Sequence, residues 1–255
     1  SPPGGAPDGT VCAADGICSD AICSTPWLAT AIAVGSGHAC AWGKGNKVAC
    51  WGSNATFAIG DAAIPDQASP TVSSDLTTPI AQVALGDGFT CRLHQGATAV
   101  YCRGKNDHGQ LGAAVSPPKA NEVNVNFGSA INQIAAGSQH ACARTDSGKV
   151  HCWGAGSDGQ LGKSGVTSDQ QAPVETGFLG TFEYVAAGGA NTCGLANGEA
   201  FCWGVAGVKW ANPKVNPKSG LPAPVNISLT LQSLAVAQTH ACGITKVGGE
   251  AWCWG

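Results

Sequence analysis

Gly137-Ser138-Gln139-His140-Ala141-Cys142-Ala143-Arg144-Thr145-Asp146-Ser147-Gly148-Lys149-Val150-His151-Cys152-Trp153-Gly154 is the stretch that decides the fold, because its outline returns along the chain. The first cysteine recurs as Cys40, Cys91, Cys142, Cys193 and Cys242, at steps of 51, 51, 51 and 49 residues. The second recurs as Cys50, Cys102, Cys152, Cys202 and Cys253, 9 to 11 residues after the first. A fixed period of this length marks one supersecondary unit used repeatedly.

Upstream of each first cysteine lies a short apolar segment: Ile32-Ala33-Val34-Gly35, Val83-Ala84-Leu85-Gly86, Ile134-Ala135-Ala136-Gly137, Val185-Ala186-Ala187-Gly188 and Leu234-Ala235-Val236-Ala237. Continuous apolarity over four residues suits a strand covered on both faces, and the alanines suit a crowded axis. The cysteine strand then runs into a glycine-marked turn at Gly45, Gly96, Gly148, Gly198 or Gly249. A third strand follows, and Gly52, Gly104, Gly154, Gly204 or Gly255 stops it. Asn197-Gly198 is a strong hairpin signal, since both residues tolerate positive φ.

Each cysteine pair therefore sits on the two arms of one hairpin, where opposed Cα atoms come within disulfide range. The expected bridges are Cys40–Cys50, Cys91–Cys102, Cys142–Cys152, Cys193–Cys202 and Cys242–Cys253. Each closes a short loop and is worth about 2–3 kcal/mol on an entropic account. Zinc is excluded as the reason for the pairs, because separate units do not supply four convergent ligands and no C-x-x-C knuckle occurs.

A polar turn follows the hairpin, as Asn106-Asp107-His108-Gly109-Gln110-Leu111-Gly112 and Gly156-Ser157-Asp158-Gly159-Gln160-Leu161-Gly162. Unit one has a looser version from Ser53 to Gly60, and unit four lacks it. A proline-containing stretch then leads to a fourth short strand, as at Pro173-Val174 and Pro224-Val225.

This order of motifs (G-x-x-H-x-C, hairpin, C-W-G, D-G-Q-L-G, P-x-x-V) resembles the regulator of chromosome condensation repeat over residues 26–255. The resemblance implies an all-β fold, a β-propeller with one four-stranded blade per repeat. Five repeats are present, whereas the family has seven blades. Ala14-Asp15-Gly16-Ile17 resembles the polar turn and Pro26-Trp27-Leu28 the strand after it. Residues 1–25 are thus expected to complete the last blade and close the ring. An arc of a longer propeller, or one closed by another chain, is the alternative. The paired cysteines are not part of the intracellular family pattern and mark a secreted variant.

Thirteen cysteines in regular pairs point to an oxidising compartment: secreted, at the cell surface, or periplasmic. Ser1 reads equally as an end left by signal-peptide removal or as an arbitrary boundary. Two of Cys12, Cys18 and Cys23 can pair, in three ways, which leaves an odd thiol. Net charge is −3 and charged residues make up only 11 % of the chain, which argues against nucleic acid. No apolar run approaches a membrane span.

His38, His140 and His240 take one position in units one, three and five, with Phe89 and Asn191 in the others. Equivalent positions on separate units lie too far apart for one ion, so a local hydrogen bond fixing the turn is expected rather than a metal. Trp51, Trp153, Trp203 and Trp254 follow the second cysteine and read as packing between units. The irregular segment from Val205 to Pro224 carries Lys209, Trp210, Lys214 and Lys218, the candidate partner contact. Asp61, Asp66, Asp75, Glu122, Asp169, Glu175 and Glu183 are scattered and read as solvated turn residues. Asn54-Ala55-Thr56 and Asn226-Ile227-Ser228 match the glycan acceptor pattern.

No catalytic motif and no cofactor fingerprint is present, so the expected role is that of a non-enzymatic binding or scaffolding module. Its expected partner is a protein, itself included, with glycan as a second class. Inhibition of a secreted enzyme through one face is an alternative, since a bacterial β-lactamase inhibitor has a similar fold. A glycan-active enzyme is a further alternative. The family's nucleotide-exchange role does not transfer, because fold alone does not carry function.

Overall fold

The computed structural model describes residues 11–12, 16–19, 22–24, 28–43, 47–60, 64–73, 78–205, 210 and 220–255. Five antiparallel sheets follow one another along the chain. The first contains β4 (Ala29–Val34), β5 (His38–Gly43), β6 (Val48–Gly52) and β7 (Gln67–Ser73), in that order. The second contains β8 (Ile80–Leu85), β9 (Phe89–His94), β10 (Ala99–Asn106) and β11 (Ser116–Asn126). The third is built from β12 (Ile131–Ala136), β13 (His140–Thr145), β14 (Val150–Gly154) and β15 (Gln170–Glu175). The fourth is built from β16 (Tyr184–Gly188), β17 (Asn191–Ala196), β18 (Glu199–Gly204) and β19 (Ala223–Pro224). The fifth holds β20 (Leu231–Val236), β21 (Ala241–Thr245) and β22 (Ala251–Trp254). The repeat thus folds as a β-propeller of five blades.

The innermost strands are the short apolar segments, and β8, β12, β16 and β20 each touch the innermost strand of the blade before. Glycine closes the first four innermost strands because the next blade's backbone leaves no room for a side chain. A Cβ on Gly86 would lie 2.6 Å from the Gly137 carbonyl oxygen, and one on Gly137 would lie 2.7 Å from that of Gly189. The ridge so formed is tied across blades by backbone bonds from Asp87 to Ser138 (2.9 Å) and from Ser138 to Gly189 (2.8 Å).

Register places the paired cysteines directly opposite one another in all five hairpins. All five bridges are formed, with Cα atoms 4.0 to 4.1 Å apart. The glycines after the first three hairpins, Gly52, Gly104 and Gly154, each lie at a bulge. Gly154 takes φ 97°, and a Cβ there would lie 2.6 Å from the Gln139 carbonyl oxygen.

The N-terminal strands β1 (Val11–Cys12), β2 (Gly16–Ser19) and β3 (Ile22–Ser24) were expected to join the fifth blade. They pair with one another instead, Val11 opposite Ile17 and Cys18 opposite Cys23. Gly16 and Ile17 therefore lie in a strand and not in a polar turn. These three short strands satisfy one another's backbone groups, while β22 pairs with β21. The side-chain pairing of Cys12, Cys18 and Cys23 lies outside the described residues.

Candidate interaction surface

In the first four blades the cysteine strand opens on the residue that joins its blade to the next. His140 Nε2 lies 2.7 Å from Thr192 Oγ1, one blade on. The Thr192 hydroxyl has one proton and donates it to the Gln160 carbonyl at 3.0 Å, so His140 Nε2 carries hydrogen and donates to Thr192. His140 Nδ1 is then an unprotonated, buried atom without a partner. Burial holds the His140 pKa down at about 4.

His38 repeats the bond to Thr90 at 2.8 Å. Burial, then the Arg103 charge, lowers its pKa to about 4 against the opposing pull of Asp87. Where Phe89 replaces histidine, the next blade offers Ala141, and the two share one apolar core. Asn191 donates to the carbonyls of Ala237 (3.3 Å) and Gln238 (2.9 Å). His240 is exposed. His38 and His140 thus clamp neighbouring blades, where a bond within the local turn was expected. Thr90 and Thr192 are the partners that sequence reading missed, although each follows its histidine by 52 residues. Among the described residues no group of three or more His, Cys, Asp or Glu could hold a metal.

The polar turns form a second clamp. Gln110 gives its carbonyl to Trp153 Nε1 (2.9 Å), and Gln160 does the same for Trp203 (2.9 Å). Asn106 organises the turn, accepting from Leu111 N–H and donating to the Ala114 carbonyl. In blade one Asn54 has this task. Its Oδ1 accepts from Ile59 and Gly60 and its Nδ2 donates to the Ile64 carbonyl. The sequence of unit four lacks the turn motif, and Trp254 Nε1 is buried without a partner among the described residues.

Asn54 matches the acceptor pattern, but it is only 4 % exposed and its amide is committed to the turn. Asn226 is exposed.

Trp210 is half-buried against the cluster that holds Trp254, Ile227 and Leu229. Lys209, Lys214 and Lys218 lie outside the described residues, as do Asp61 and Asp75. Several of the other carboxylates have structural partners. Asp66 accepts from Asn54 N–H at 2.7 Å, Asp169 pairs with His108 at 2.7 Å, and Glu175 pairs with Lys149 at 3.5 Å.

The outward faces of the first and fifth sheets differ from every interblade face. Ile32 is 62 % exposed, whereas its equivalents Val83, Ile134, Val185 and Leu234 are 1–6 % exposed. Cys253 is exposed, whereas its counterparts in the other four hairpins are buried.

Blades built on a disulfide-locked hairpin and clamped to each other by histidine and tryptophan define a repeat propeller. Residues 99–144 and 147–195 match the Regulator of chromosome condensation (RCC1) repeat, and a second pattern of the same description matches residues 131–160. The chain belongs to this repeat family, of which it is a disulfide-bearing variant. It is 32 % identical over 197 residues to the ultraviolet-B receptor UVR8 of Arabidopsis thaliana, a match covering 75 % of this chain and 44 % of the receptor. The chain thus spans less than half of that relative's length.

Among solved structures, Prp20p from Saccharomyces cerevisiae superposes with a TM-score of 0.75 at 22 % identity, over 89 % of this chain and 58 % of that one. The CRINKLY WD40 ectodomain of the Arabidopsis thaliana receptor kinase ACR4 superposes with a TM-score of 0.57 at 22 % identity, over 91 % and 68 %. At these identities both show the fold alone.

Proposed function

We propose that this chain is a protein-binding propeller of an oxidising compartment, secreted or held at the cell surface, where it serves as a scaffold or subunit of an assembly. The observation that carries the reading is the bridge in every blade hairpin. Such bonds persist where thiols are not kept reduced. A framework locked in this way holds its connecting segments in fixed positions, which suits recognition of another protein.

Two comparisons support the reading. The Prp20p structure is described together with binding to Gsp1p and histones, and the ACR4 propeller is an ectodomain. We assign the partner contact to the segment that joins β18 to β19 within blade four. Trp210 anchors it on blade four, and Lys209, Lys214 and Lys218 supply positive charge for an acidic partner surface.

The test uses native material. Thiol trapping before lysis should find the ten hairpin cysteines oxidised, and surface labelling should reach the protein. Cross-linking with mass spectrometry should then recover a protein partner linked near residues 205–224, and Lys209→Glu with Lys214→Glu and Lys218→Glu should weaken that complex at least tenfold. Free thiols in a reducing compartment, or an unchanged complex, would overturn the proposal.

A further inference from the structure

Four units place a small residue directly after the first cysteine: Ala41, Ala143, Gly194 and Gly243. The second unit has Arg92. In blades four and five the small residue is required, because a neighbour fills the space above it. A Cβ on Gly194 would lie 2.5 Å from the Phe182 ring, and one on Gly243 would lie 2.7 Å from Leu231 Cδ1. Around the fourth hairpin Phe178 stacks on Phe182 with centroids 4.3 Å apart and tilts against Phe201 at 4.8 Å. Phe127 packs in the same manner against His151 and Trp153 of blade three.

Blade two departs from this arrangement. A cavity of about 400 Å³ opens there, lined by Thr78, Arg92, His94, Gln95, Tyr101 and Glu122. Tyr101 stands directly opposite Arg92 across the hairpin, and His94 follows two residues along the same strand, so the three share one face of the sheet. Leu93 and Val100 point the other way, into the core shared with blade three.

The cavity mixes polar and apolar surface, and the charges of Arg92 and Glu122 cancel. Arg92 is 8 % exposed and ion-paired to Glu122, yet its Nε is buried without a partner. His94 Nδ1 donates to the Thr78 carbonyl at 3.2 Å, and Nε2 has no partner among the described residues. The Tyr101 hydroxyl and the Gln95 carboxamide make no hydrogen bond among the described residues. The Tyr101 ring meets the His94 ring edge to face at 5.3 Å and 89°.

An anion would have to displace Glu122 from Arg92, and a cation would have to displace Arg92 from Glu122. A neutral ligand with many hydroxyls needs neither exchange. It uses the unspent donors and acceptors and lays its C–H face on the tyrosine. The volume lies in the range of small-ligand sites. We propose that this cavity binds a neutral hexopyranose unit of a glycan, with Arg92, His94, Gln95 and Tyr101 as its polar contacts. A repeat that breaks its own small-residue rule at one blade, and leaves polar groups unspent there, is expected at a functional position. This site is separate from the protein contact proposed above, so either can fail alone.

The test titrates the disulfide-intact chain with the methyl glycosides of glucose, galactose, mannose and N-acetylglucosamine at millimolar concentration. Amide shift mapping should confine the response to residues around 92–95 and 101, with saturation transfer to the sugar ring protons. Gln95→Ala lies on the exposed turn, and Tyr101→Phe removes only an oxygen. Each should weaken binding about three- to tenfold, the loss of one hydrogen bond, at an unchanged unfolding temperature. Three outcomes overturn the proposal: no response to any glycoside, affinity unaltered in both variants, or acetate bound more tightly than every neutral sugar.

Discussion

Thr192→Val tests the clamp between the third and fourth blades. Thr192 and His140 are both fully buried, and valine keeps the shape of threonine while removing its hydroxyl. Two hydrogen bonds disappear: the one His140 Nε2 donates, and the one Thr192 gives to the Gln160 carbonyl. The carbonyl is not orphaned, because Trp203 Nε1 still donates to it at 2.9 Å. The ring is, because His140 Nδ1 already lacks a partner and Nε2 then joins it. One buried donor left unsatisfied costs about 1–3 kcal/mol. In a domain of this size that lowers Tm by about 2–12 °C. Denaturant unfolding should show a lower midpoint at an unchanged slope.

A second arm exploits the interface between blades two and three, where Phe89 faces Ala141. His140→Phe alone should be destabilising because the ring meets the threonine hydroxyl. His140→Phe with Thr192→Ala should recover part of the loss, with a coupling of about 0.5–3 kcal/mol. An unchanged midpoint for Thr192→Val, or purely additive effects in the double variant, would refute the reasoning.

Acid should weaken the fold through the same groups. His38 and His140 stay neutral in the fold down to about pH 4, while the unfolded chain protonates each near 6.5. Unfolding therefore takes up protons between these values, and stability falls as pH falls through that window. The loss is about 1.4 kcal/mol per pH unit per histidine. Tm measured from pH 7 to 4.5 should drop steeply, and the drop should be shallower in His140→Phe with Thr192→Ala. Cys253 is exposed while the eight cysteines of the first four hairpins are at most 5 % exposed. Graded reduction followed by alkylation and peptide mass analysis should find Cys242 and Cys253 labelled first. Asn54→Ala removes the three hydrogen bonds that shape the first turn and should cost about 2–3 kcal/mol by denaturant titration. Expression in a glycosylating host should modify Asn226 and leave Asn54 bare, as read by enzymatic deglycosylation and peptide mapping.

The fold was legible because cysteine spacing, glycine stops and the Asp-Gly-Gln-Leu turns all report one period. Opposed cysteines on a short hairpin leave little freedom in register, so the bridges could be read without coordinates. Contacts between blades were harder to read. His140 and Thr192 are 52 residues apart, and their pairing depends on the angle at which one sheet packs on the next. The signal existed in the alternation of His38 with Thr90 and Phe89 with Ala141, which makes sense only once the position after the histidine is matched to the following unit. The N-terminal strands misled because a short Asp-Gly segment suits a strand end as well as a polar turn, and their pairing is local. Asn54 read as a glycan acceptor because the three-residue pattern says nothing of burial. The blade-two cavity was hidden because Arg92 is conspicuous only against Ala41, Ala143, Gly194 and Gly243 in register.

The account stands most directly on where the sulfur atoms join. Native protein, alkylated before digestion and mapped by mass spectrometry without reductant, should yield Cys40 with Cys50, Cys91 with Cys102, Cys142 with Cys152, Cys193 with Cys202 and Cys242 with Cys253. Alkylated thiols at these ten positions, or bridges linking one blade to another, would contradict it.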